Sequence, residues 1–339
     1  MPSVPGDSSP AAARPSGTVL EVRDLSVEYL LEQGTVMAVD QVGFDLAAGE
    51  FLGIVGESGC GKSTLLFAIA QLLVPPAEIT SGSVVFKGRN MVGLTDKEMS
   101  AVRWKDMSVV MQSAMNALNP VKSIEAQFAD AMRAHGVASK AEIAERSAEV
   151  LKMVGIDPVH LKSYPHQLSG GMRQRSMIAM AMLFTPDLVI MDEPTSALDV
   201  VAQRSLMVQI KELQERLDFA IIFVTHDMSL VRHFSDRLMV MYAGVIAEFG
   251  ATGQVFDSPQ HPYSIGLMEA FPSIRGPRVP LTGIPGSPPN LARIPPGCRF
   301  APRCPKVMAR CEVEPPDLYQ VDGTLVRCFL HEGQGLSHD

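Results

Sequence analysis

A short glycine-rich run in the first quarter of the chain combines residue types that can bind phosphate. It consists of Gly56, Glu57, Ser58, Gly59, Cys60, Gly61, Lys62, Ser63 and Thr64. The glycines let the backbone turn tightly with its N–H groups pointing inward, toward the oxygens of a nucleotide's β- and γ-phosphates. Lys62 would reach those phosphates, and the Ser63 hydroxyl would hold Mg²⁺. The sequence therefore predicts a Walker A loop that binds a nucleoside triphosphate.

The residues on either side of this run predict the elements that would hold it. Phe51–Val55 is a continuous apolar run typical of a buried strand, and the apolar stretch from Leu65 to Leu73 predicts a helix. The start of that helix would add the positive end of its dipole to the phosphate site. A glycine-rich turn that matches the pattern by chance is disfavoured, because strand, loop and helix occur in the required order.

Three titratable side chains follow two other predicted strands. Asp192 and Glu193 come directly after the apolar run 188–191, and His226 follows the run 219–224. Asp192 would steady Mg²⁺, and Glu193 would orient or deprotonate a water in line with the γ-phosphate. His226 would hydrogen-bond that phosphate and the region of Glu193. An Asp-Glu pair that ends a strand is common, and a single histidine in such a place is more often structural. These residues therefore indicate a catalytic site only in combination with the Walker A loop.

A second pair of glycines precedes another predicted apolar helix. Ser169, Gly170 and Gly171 would supply a hydroxyl group, two unhindered backbone amides and a helix N-terminus. This combination predicts a second phosphate-binding surface in the same chain. The alternative is an ordinary capped helix.

Composition excludes several classes of protein. The chain has 339 residues, 46% of them hydrophobic, with a net charge of −8 and a pI near 5.5. This charge balance is not that of a protein that binds nucleic acid, so a DNA-repair or helicase ATPase is disfavoured. No apolar run reaches the ~18 residues of a membrane span. Residues 1–17 are rich in Pro, Ala, Ser and Gly and lack the basic start and apolar centre of a signal peptide, which predicts a disordered tail. We expect a soluble, cytoplasmic protein.

The distribution of residue types predicts the organisation of the chain. Residues 19–29 and 36–46 partly alternate apolar with polar side chains, as half-exposed antiparallel strands do, and residues 116–154 change to a helical pattern. From about residue 256 the chain is rich in Pro, Gly and Cys, which predicts a separate, loop-rich appendage. The expected boundaries are a tail at 1–17, a nucleotide-binding domain at 18–255 with a helical subdomain at about 114–176, and an extension at 256–339.

Taken in this order, the segments resemble the nucleotide-binding subunit of an ATP-binding cassette (ABC) transporter over residues 18 to about 330. The resemblance implies an α/β fold of the ABC-type P-loop NTPase class. Such a fold has a RecA-like parallel-sheet core, an antiparallel β subdomain and a helical subdomain, here followed by a small Cys-rich C-terminal extension. It also implies that two subunits meet head to tail, with ATP between the Walker A loop of one and the signature loop, Ser169–Gly171, of the other.

The same resemblance assigns roles to individual residues. Tyr29 would stack on adenine, although an aromatic residue that ends a strand is more often packed against the core. Gln112 would be the glutamine that contacts Mg²⁺ and the water and links them to the transmembrane subunits. Ser196–Asp199 would be the D-loop, and His226 the switch histidine. The implied cofactors are ATP and Mg²⁺, the latter held by Ser63, Gln112 and Asp192.

Several segments resemble the oligopeptide/dipeptide importer family more closely. They are residues 112–120, 164–175, 261–263 and 297–305. Met172 replaces the glutamine that usually ends the signature, and this form is similar to one of two non-identical ATPase subunits. The implied partners are therefore a second, non-identical ATPase subunit, two transmembrane permease subunits and an extracytoplasmic solute-binding protein, with no nucleic acid. The chain would lie at the cytoplasmic face of the cell membrane.

Alternative functions differ in cargo or in class. The same importer family includes transporters of oligosaccharides, nickel and opines, and the ATPase subunit does not contact the cargo. A soluble ABC-type ATPase in translation or DNA repair is disfavoured. Such proteins usually resemble two cassettes in one chain or carry long coiled-coil inserts, and this sequence has one cassette and no such insert.

Four of the five cysteines lie close together near the C-terminus. They are Cys298, Cys304, Cys311 and Cys328, separated by five, six and sixteen residues. These spacings leave zinc, an iron–sulfur cluster and free thiols all open. The importer subunits that this segment resembles include some with a four-iron cluster, so the resemblance favours [4Fe-4S], with zinc second. Cys60 is outside this group and needs no function of its own.

Overall fold

The computed structural model of the chain describes residues 17–32, 34–111, 117–196, 198–270 and 283–333. The tail expected at residues 1–17 therefore lies outside the described residues except for Gly17, and so does Gln112. The described strands are β1 (Thr18–Leu31), β2 (Gly34–Ala47), β3 (Phe51–Val55), β4 (Ala77–Phe86), β5 (Arg89–Asn90), β6 (Met107–Val110), β7 (Leu188–Asp192), β8 (Ala220–Val224), β9 (Arg237–Tyr242), β10 (Val245–Ala251), β11 (Tyr319–Val321) and β12 (Thr324–Val326).

Helices alternate with the later strands along the chain. The described α-helices are α1 (Lys62–Ile69), α2 (Asp96–Val102), α3 (Ile124–Ala134), α4 (Lys140–Met153), α5 (Gly170–Ala181), α6 (Val200–Leu217), α7 (Met228–Phe234), α8 (Thr252–Asp257), α9 (Pro262–Glu269) and α10 (Ala309–Val313). Short 3₁₀ turns occur at Pro158–Lys162, Pro165–Gln167, Ala301–Arg303 and Phe329–His331. No α-helix in the described ranges has the length and apolar character that crossing a bilayer requires.

A central sheet carries the predicted buried strands. Its order is β11-β12-β10-β9-β3-β8-β7-β6, and the five strands from β9 to β6 are parallel to one another. Strands β3, β7 and β8 are buried along their whole length because both faces of the sheet are covered. The strands predicted at residues 51–55, 188–191 and 219–224 are confirmed, the last beginning one residue later at Ala220.

The two faces of the central sheet belong to different cores, as the alternation of side chains along a strand requires. Phe51 and Val189 point into a core shared with the helices, which includes Phe128 and Leu151. Their neighbours Leu52 and Ile190 point to the other face, into a core shared with α1 and with an antiparallel sheet of order β2-β1-β4-β5. The predicted antiparallel strands at 19–29 and 36–46 are thus confirmed, since they lie within β1 and β2.

The polar pattern after residue 116 forms helices as predicted. α3 begins after Ser123, whose hydroxyl accepts a hydrogen bond from the N–H of Ala126, and α4 begins after Ser139, which accepts from Glu142 in the same way. Each cap satisfies a backbone donor that the first turn would otherwise leave unpaired. The two helices bury their apolar faces, and α5 follows at residue 170.

The C-terminal residues are joined to the central sheet, in contrast to the separate appendage expected from composition. Strand β12 pairs antiparallel with β10, matching Glu248 with Val326, and β11 pairs with β12. The reason is that Val326 and Thr324 are fully buried, so this short hairpin covers apolar surface at the sheet edge. The boundary expected between residues 255 and 256 remains a prediction.

Candidate nucleotide-binding site

The glycine-rich loop connects the end of β3 to the start of α1. Gly56 and Gly61 have φ angles of 151° and 101°, and a Cβ atom would lie 2.2 Å from the carbonyl oxygen of Met241 at Gly56 and 2.1 Å from that of Ala38 at Gly61. Both positions therefore require glycine for backbone conformation and for space. Glycine at these positions allows the segment to turn between the backbones of β9 and β2, as the cradle predicted from sequence requires.

Lys62 lies inside this cradle and is only 6% exposed. Its Nζ donates hydrogen bonds to the carbonyl oxygens of Gly56 at 2.8 Å and Glu57 at 3.0 Å. Burial raises the pKa of the neighbouring Cys60 thiol, which therefore stays neutral. Lys62 is the cation of the loop, and its ammonium group has a third N–H that could donate to a phosphate oxygen beside the two carbonyl partners.

Asp192 and Ser63 form the part of the site suited to a hard cation. Asp192 ends β7 and is buried, and burial raises the pKa of its carboxyl group while a hydrogen bond from the Ser63 hydroxyl opposes that rise. Its Oδ1 atom is buried and has no hydrogen-bond partner. A buried carboxylate oxygen beside a hydroxyl is a donor set that fits Mg²⁺. Ser63 and Asp192, each predicted to hold Mg²⁺, thus lie side by side, and their binding of the ion stays a prediction.

Glu193 and His226 meet although 33 positions of sequence separate them. Oε1 of Glu193 lies 2.5 Å from Nε2 of His226, and the exposed fractions of the two side chains are 13% and 52%. They meet because each residue follows one of the neighbouring parallel strands β7 and β8. Glu193 also has a φ of 46°, an uncommon left-handed backbone conformation for a non-glycine residue. His226 therefore orients the Glu193 carboxylate, and the role of Glu193 as a general base stays a prediction.

Tyr29 and Gln112 are the other residues predicted to contact the nucleotide or its metal ion. The hydroxyl of Tyr29 lies 3.2 Å from that of Thr64, so this aromatic ring is next to the Walker A helix. Its stacking on adenine stays a prediction. Gln112 lies outside the described residues, and its role also stays a prediction.

The predicted signature loop lies on the helical part of the chain. The Ser169 side chain caps α5 by accepting a hydrogen bond of 3.3 Å from the N–H of Met172. Ser169 is exposed, and Gly170 and Gly171 form the first turn of the helix. The capped helix and the exposed N-terminus are both present, so the two interpretations made from sequence are compatible.

Sequence reasoning missed the residues that contact the outer side of the Walker A loop. Arg303 forms an ion pair with Glu57, and the hydroxyl of Tyr263 accepts a hydrogen bond from the Glu57 N–H. Tyr263 and Arg303 lie in segments that the family resemblance had singled out. No sequence signal connects either segment to the loop.

The four C-terminal cysteines line one cavity between the extension and the main body. All are free thiols, and burial raises the pKa of Cys298, of Cys304 and of Cys328, the last to about 11. The sulfur of each of these three accepts a hydrogen bond from the backbone N–H two residues later, at Phe300, Lys306 and Leu330. Within the described ranges, no three His, Cys, Asp or Glu side chains are placed to hold a single metal ion.

An apolar groove lies between the central sheet and the helical part of the chain. Its volume is about 460 Å³, and its lining includes Leu72, Trp104, Met111, Ala131 and Met177. Met111 is exposed there and directly precedes Gln112. The groove therefore includes the residue that precedes, in sequence, the glutamine predicted to link the site to transmembrane subunits.

The chain is similar in sequence to ATP-binding subunits of peptide transporters. Residues 39–196 match the family "ABC transporter", and residues 247–311 match "Oligopeptide/dipeptide transporter, C-terminal region". The oligopeptide transport ATP-binding protein OppD of Salmonella typhimurium is 43% identical over 325 residues, covering 95% of this chain and 97% of that protein. The dipeptide transport ATP-binding protein DppD of Bacillus subtilis is 44% identical over 318 residues, covering 93% and 95%.

Solved structures share the fold. The dimeric ATP-binding cassette MJ0796 in a post-hydrolysis state, bound to ADP and phosphate, superimposes with a TM-score of 0.62 at 28% identity. The match covers 69% of this chain and 98% of that one. The predicted ABC ATPase fold is thereby confirmed.

Proposed function

The chain belongs to the ABC transporter family of ATP-binding subunits, and from this membership we propose that it hydrolyses ATP to power an importer of oligopeptides or dipeptides. One observation carries the proposal: the phosphate loop with Lys62, the Ser63–Asp192 pair and the Glu193–His226 pair converge at one edge of the central sheet. These are the parts that phosphoryl transfer to water requires.

The site would act mainly by positioning and electrostatics. The loop amides and Lys62 would orient the phosphates and stabilise the negative charge that grows on them in the transition state. Ser63 and Asp192, with Gln112, would hold Mg²⁺, which supplies further charge neutralisation when bound. Glu193 would accept a proton from the attacking water, while His226 holds the carboxylate in place at 2.5 Å.

The second half of each ATP site would come from another subunit. Ser169, Gly170 and Gly171 offer amides at an exposed helix N-terminus, which would bind the γ-phosphate held by the Walker A loop of a non-identical ATPase partner. Met172, where glutamine is usual, supports the pairing of two different subunits. The apolar groove beside Met111 would receive the permease subunits at the cytoplasmic face of the membrane.

This arrangement predicts that the isolated chain is a poor ATPase. Turnover should rise about tenfold or more when the chain is assembled with its ATPase partner and permeases, because neither half-site is complete alone. The measurement is ATP turnover of the chain alone and of the reconstituted complex. Adding a binding protein loaded with a dipeptide or oligopeptide should stimulate the complex further, whereas loading with oligosaccharide, nickel or opine should not.

A Ser169→Arg variant provides the control for this experiment. It should lower turnover of the complex by blocking the composite site, yet leave the slow basal rate of the isolated chain unchanged. Full activity in a purified homodimer of this chain would contradict the heteromeric arrangement. Stimulation by another cargo instead of peptide would replace the proposed substrate.

We also propose an iron–sulfur cluster in the cysteine-lined cavity as the cofactor of the extension. Four thiols converge there, and backbone N–H groups donate to three of the sulfurs, which would stabilise thiolate ligands. A zinc ion held by the same thiols is the alternative cofactor. The raised pKa values would be overcome by thiolate–metal bonding.

Metal analysis tests the cofactor. Protein purified without oxygen should be brown and contain about four iron atoms and four acid-labile sulfides per chain. Cys311→Ser should lower the iron content, whereas Cys60→Ser, which changes the cysteine outside the group, should leave it unchanged. A colourless protein with one zinc per chain would replace the cluster by a zinc site, and protein without either metal would refute both.

A further inference from the structure

An ion pair connects the C-terminal extension to the Walker A loop. The two Nη atoms of Arg303 donate to the two carboxylate oxygens of Glu57 at 2.6 and 2.9 Å, across 246 positions of sequence. The exposed fractions of the side chains are 4% for Arg303 and 26% for Glu57. A bidentate, largely buried pair of this kind fixes orientation as well as distance.

Other contacts prevent the Arg303 side chain from moving away. Its Nε donates to the carbonyl oxygen of Pro285 at 2.8 Å, and Nη1 also reaches the hydroxyl of Tyr242 at 3.2 Å. The guanidinium lies within 6.0 Å of the ring centres of Tyr242 and Phe300. Arg303 is therefore a rigid support, because each of its three nitrogens has a partner.

Glu57 transmits this support to the catalytic lysine through its backbone. Its N–H donates to the hydroxyl of Tyr263 at 3.0 Å, and its carbonyl oxygen accepts from Lys62 Nζ at 3.0 Å. Tyr263 is completely buried, and burial raises the pKa of its phenol, so the hydroxyl remains neutral and can accept the bond. The side chain, amide and carbonyl of one loop residue are thus all engaged.

The extension also holds the other end of the loop. Cys60 accepts a hydrogen bond of 2.9 Å from the N–H of Gly244, in the turn between β9 and β10. Arg299 binds that turn through the carbonyl oxygen of Ala243 and forms an ion pair with Asp40. Arg299 and Arg303 therefore support the loop from two sides.

We propose that Arg303 is a positioning residue for ATP hydrolysis, which holds Glu57 and thereby keeps the Walker A loop and Lys62 in the phosphate-binding conformation. The inference rests on the proposed ATPase function. Arg303 acts through Glu57 and not by contact with the nucleotide. The role requires a bidentate, planar cation, so lysine can replace it only in part.

The test compares ATP kinetics of complexes reconstituted with variant chains. Arg303→Met should raise KM and the ATP dissociation constant roughly 10- to 100-fold, with a smaller change in kcat, because a displaced loop weakens phosphate binding. Glu57→Gln should have the same effect and leaves the extension intact, so it remains informative if Arg303→Met folds poorly. Arg303→Lys should recover part of the affinity, and the double variant should be no worse than the more affected single one.

Arg232→Met is the matched control. Arg232 forms an exposed ion pair with Asp257, in which the nitrogen and oxygen are 2.7 Å apart, and this pair is not part of the Walker A loop. This variant should leave both ATP constants unchanged. Unchanged KM in both Arg303→Met and Glu57→Gln, or fully additive effects, would overturn the proposal. ATP binding is measured separately from hydrolysis. A wild-type complex that binds ATP without hydrolysing it would contradict the proposed ATPase activity. The ATP dissociation constants of the variants would still decide whether Arg303 positions the loop.

Discussion

Replacing Glu193 by glutamine is expected to lower kcat for ATP hydrolysis about 100- to 10,000-fold while ATP binding is retained. The amide has the shape of the carboxylate but cannot accept the proton of the attacking water. The amide oxygen can still accept a hydrogen bond from His226, and the left-handed backbone at φ 46° does not depend on side-chain charge, so the site should keep its geometry. The measurement is single-turnover hydrolysis together with nucleotide binding by the reconstituted complex.

Glu212→Gln is a suitable control, because it makes the same chemical change on helix α6. Its turnover should equal that of the unmodified chain. Near-normal hydrolysis by Glu193→Gln in single-turnover conditions would remove Glu193 from the mechanism. To exclude activity of the other composite site, the ATPase partner in this experiment carries its own inactivating substitution.

Replacing Lys62 by methionine is expected to lower kcat/KM for ATP hydrolysis about 100- to 1,000-fold. The reason is that one preorganised, positively charged hydrogen-bond donor to the phosphates is lost. Lys62 is 6% exposed and is the cation inside the phosphate loop. Methionine keeps the length and apolar stem of the side chain, so the loop should remain folded. ATP affinity and turnover of the complex are the quantities to measure.

Lys87→Met provides the comparison for this substitution. Lys87 forms an exposed ion pair with Asp187 at 2.7 Å, so its loss should change neither constant. If Lys62→Met retained normal ATP affinity and turnover, the lysine would have no part in phosphate binding. The Walker A assignment would then lose its central residue.

The proposed roles of the extension are linked through one short segment. Cys298 and Cys304 enclose Arg299 and Arg303, so the segment that would ligate the cluster also carries both arginines that support the phosphate loop. Correct folding of the cysteine-lined cavity would therefore hold both arginines in contact with the phosphate loop and the turn beside it. This arrangement gives the extension a structural connection to the chemistry, although it contributes no group to the phosphates.

Local interactions explain why much of the catalytic site could be predicted from sequence. The order of strand, glycine loop and helix around Lys62 depends on residues close in the chain, and glycine is required at positions such as Gly61 by local backbone geometry. Glu193 and His226 could also be placed together. Each follows an apolar strand, and parallel neighbouring strands end at the same edge of a sheet.

The start of the signature helix is likewise specified by residues that are close together in sequence. Ser169 caps the helix that begins at Gly170, using a hydrogen bond that spans only three residues. A change to residues that favour helices predicted the helices after residue 116, and short continuous apolar runs predicted the buried strands. What these patterns specify is the type and order of elements, because helix caps, turns and alternating burial are short-range properties.

Only the tertiary structure decided how the C-terminal residues are used. Composition suggested a separate appendage, yet Val326 pairs with Glu248 and extends the central sheet. The contact between Arg303 and Glu57 spans 246 positions, and no local pattern of charge specifies which carboxylate a distant arginine will meet. Such pairings are selected by the packing of whole elements, since burying an arginine is favourable only where a carboxylate and backbone carbonyls are already held in reach.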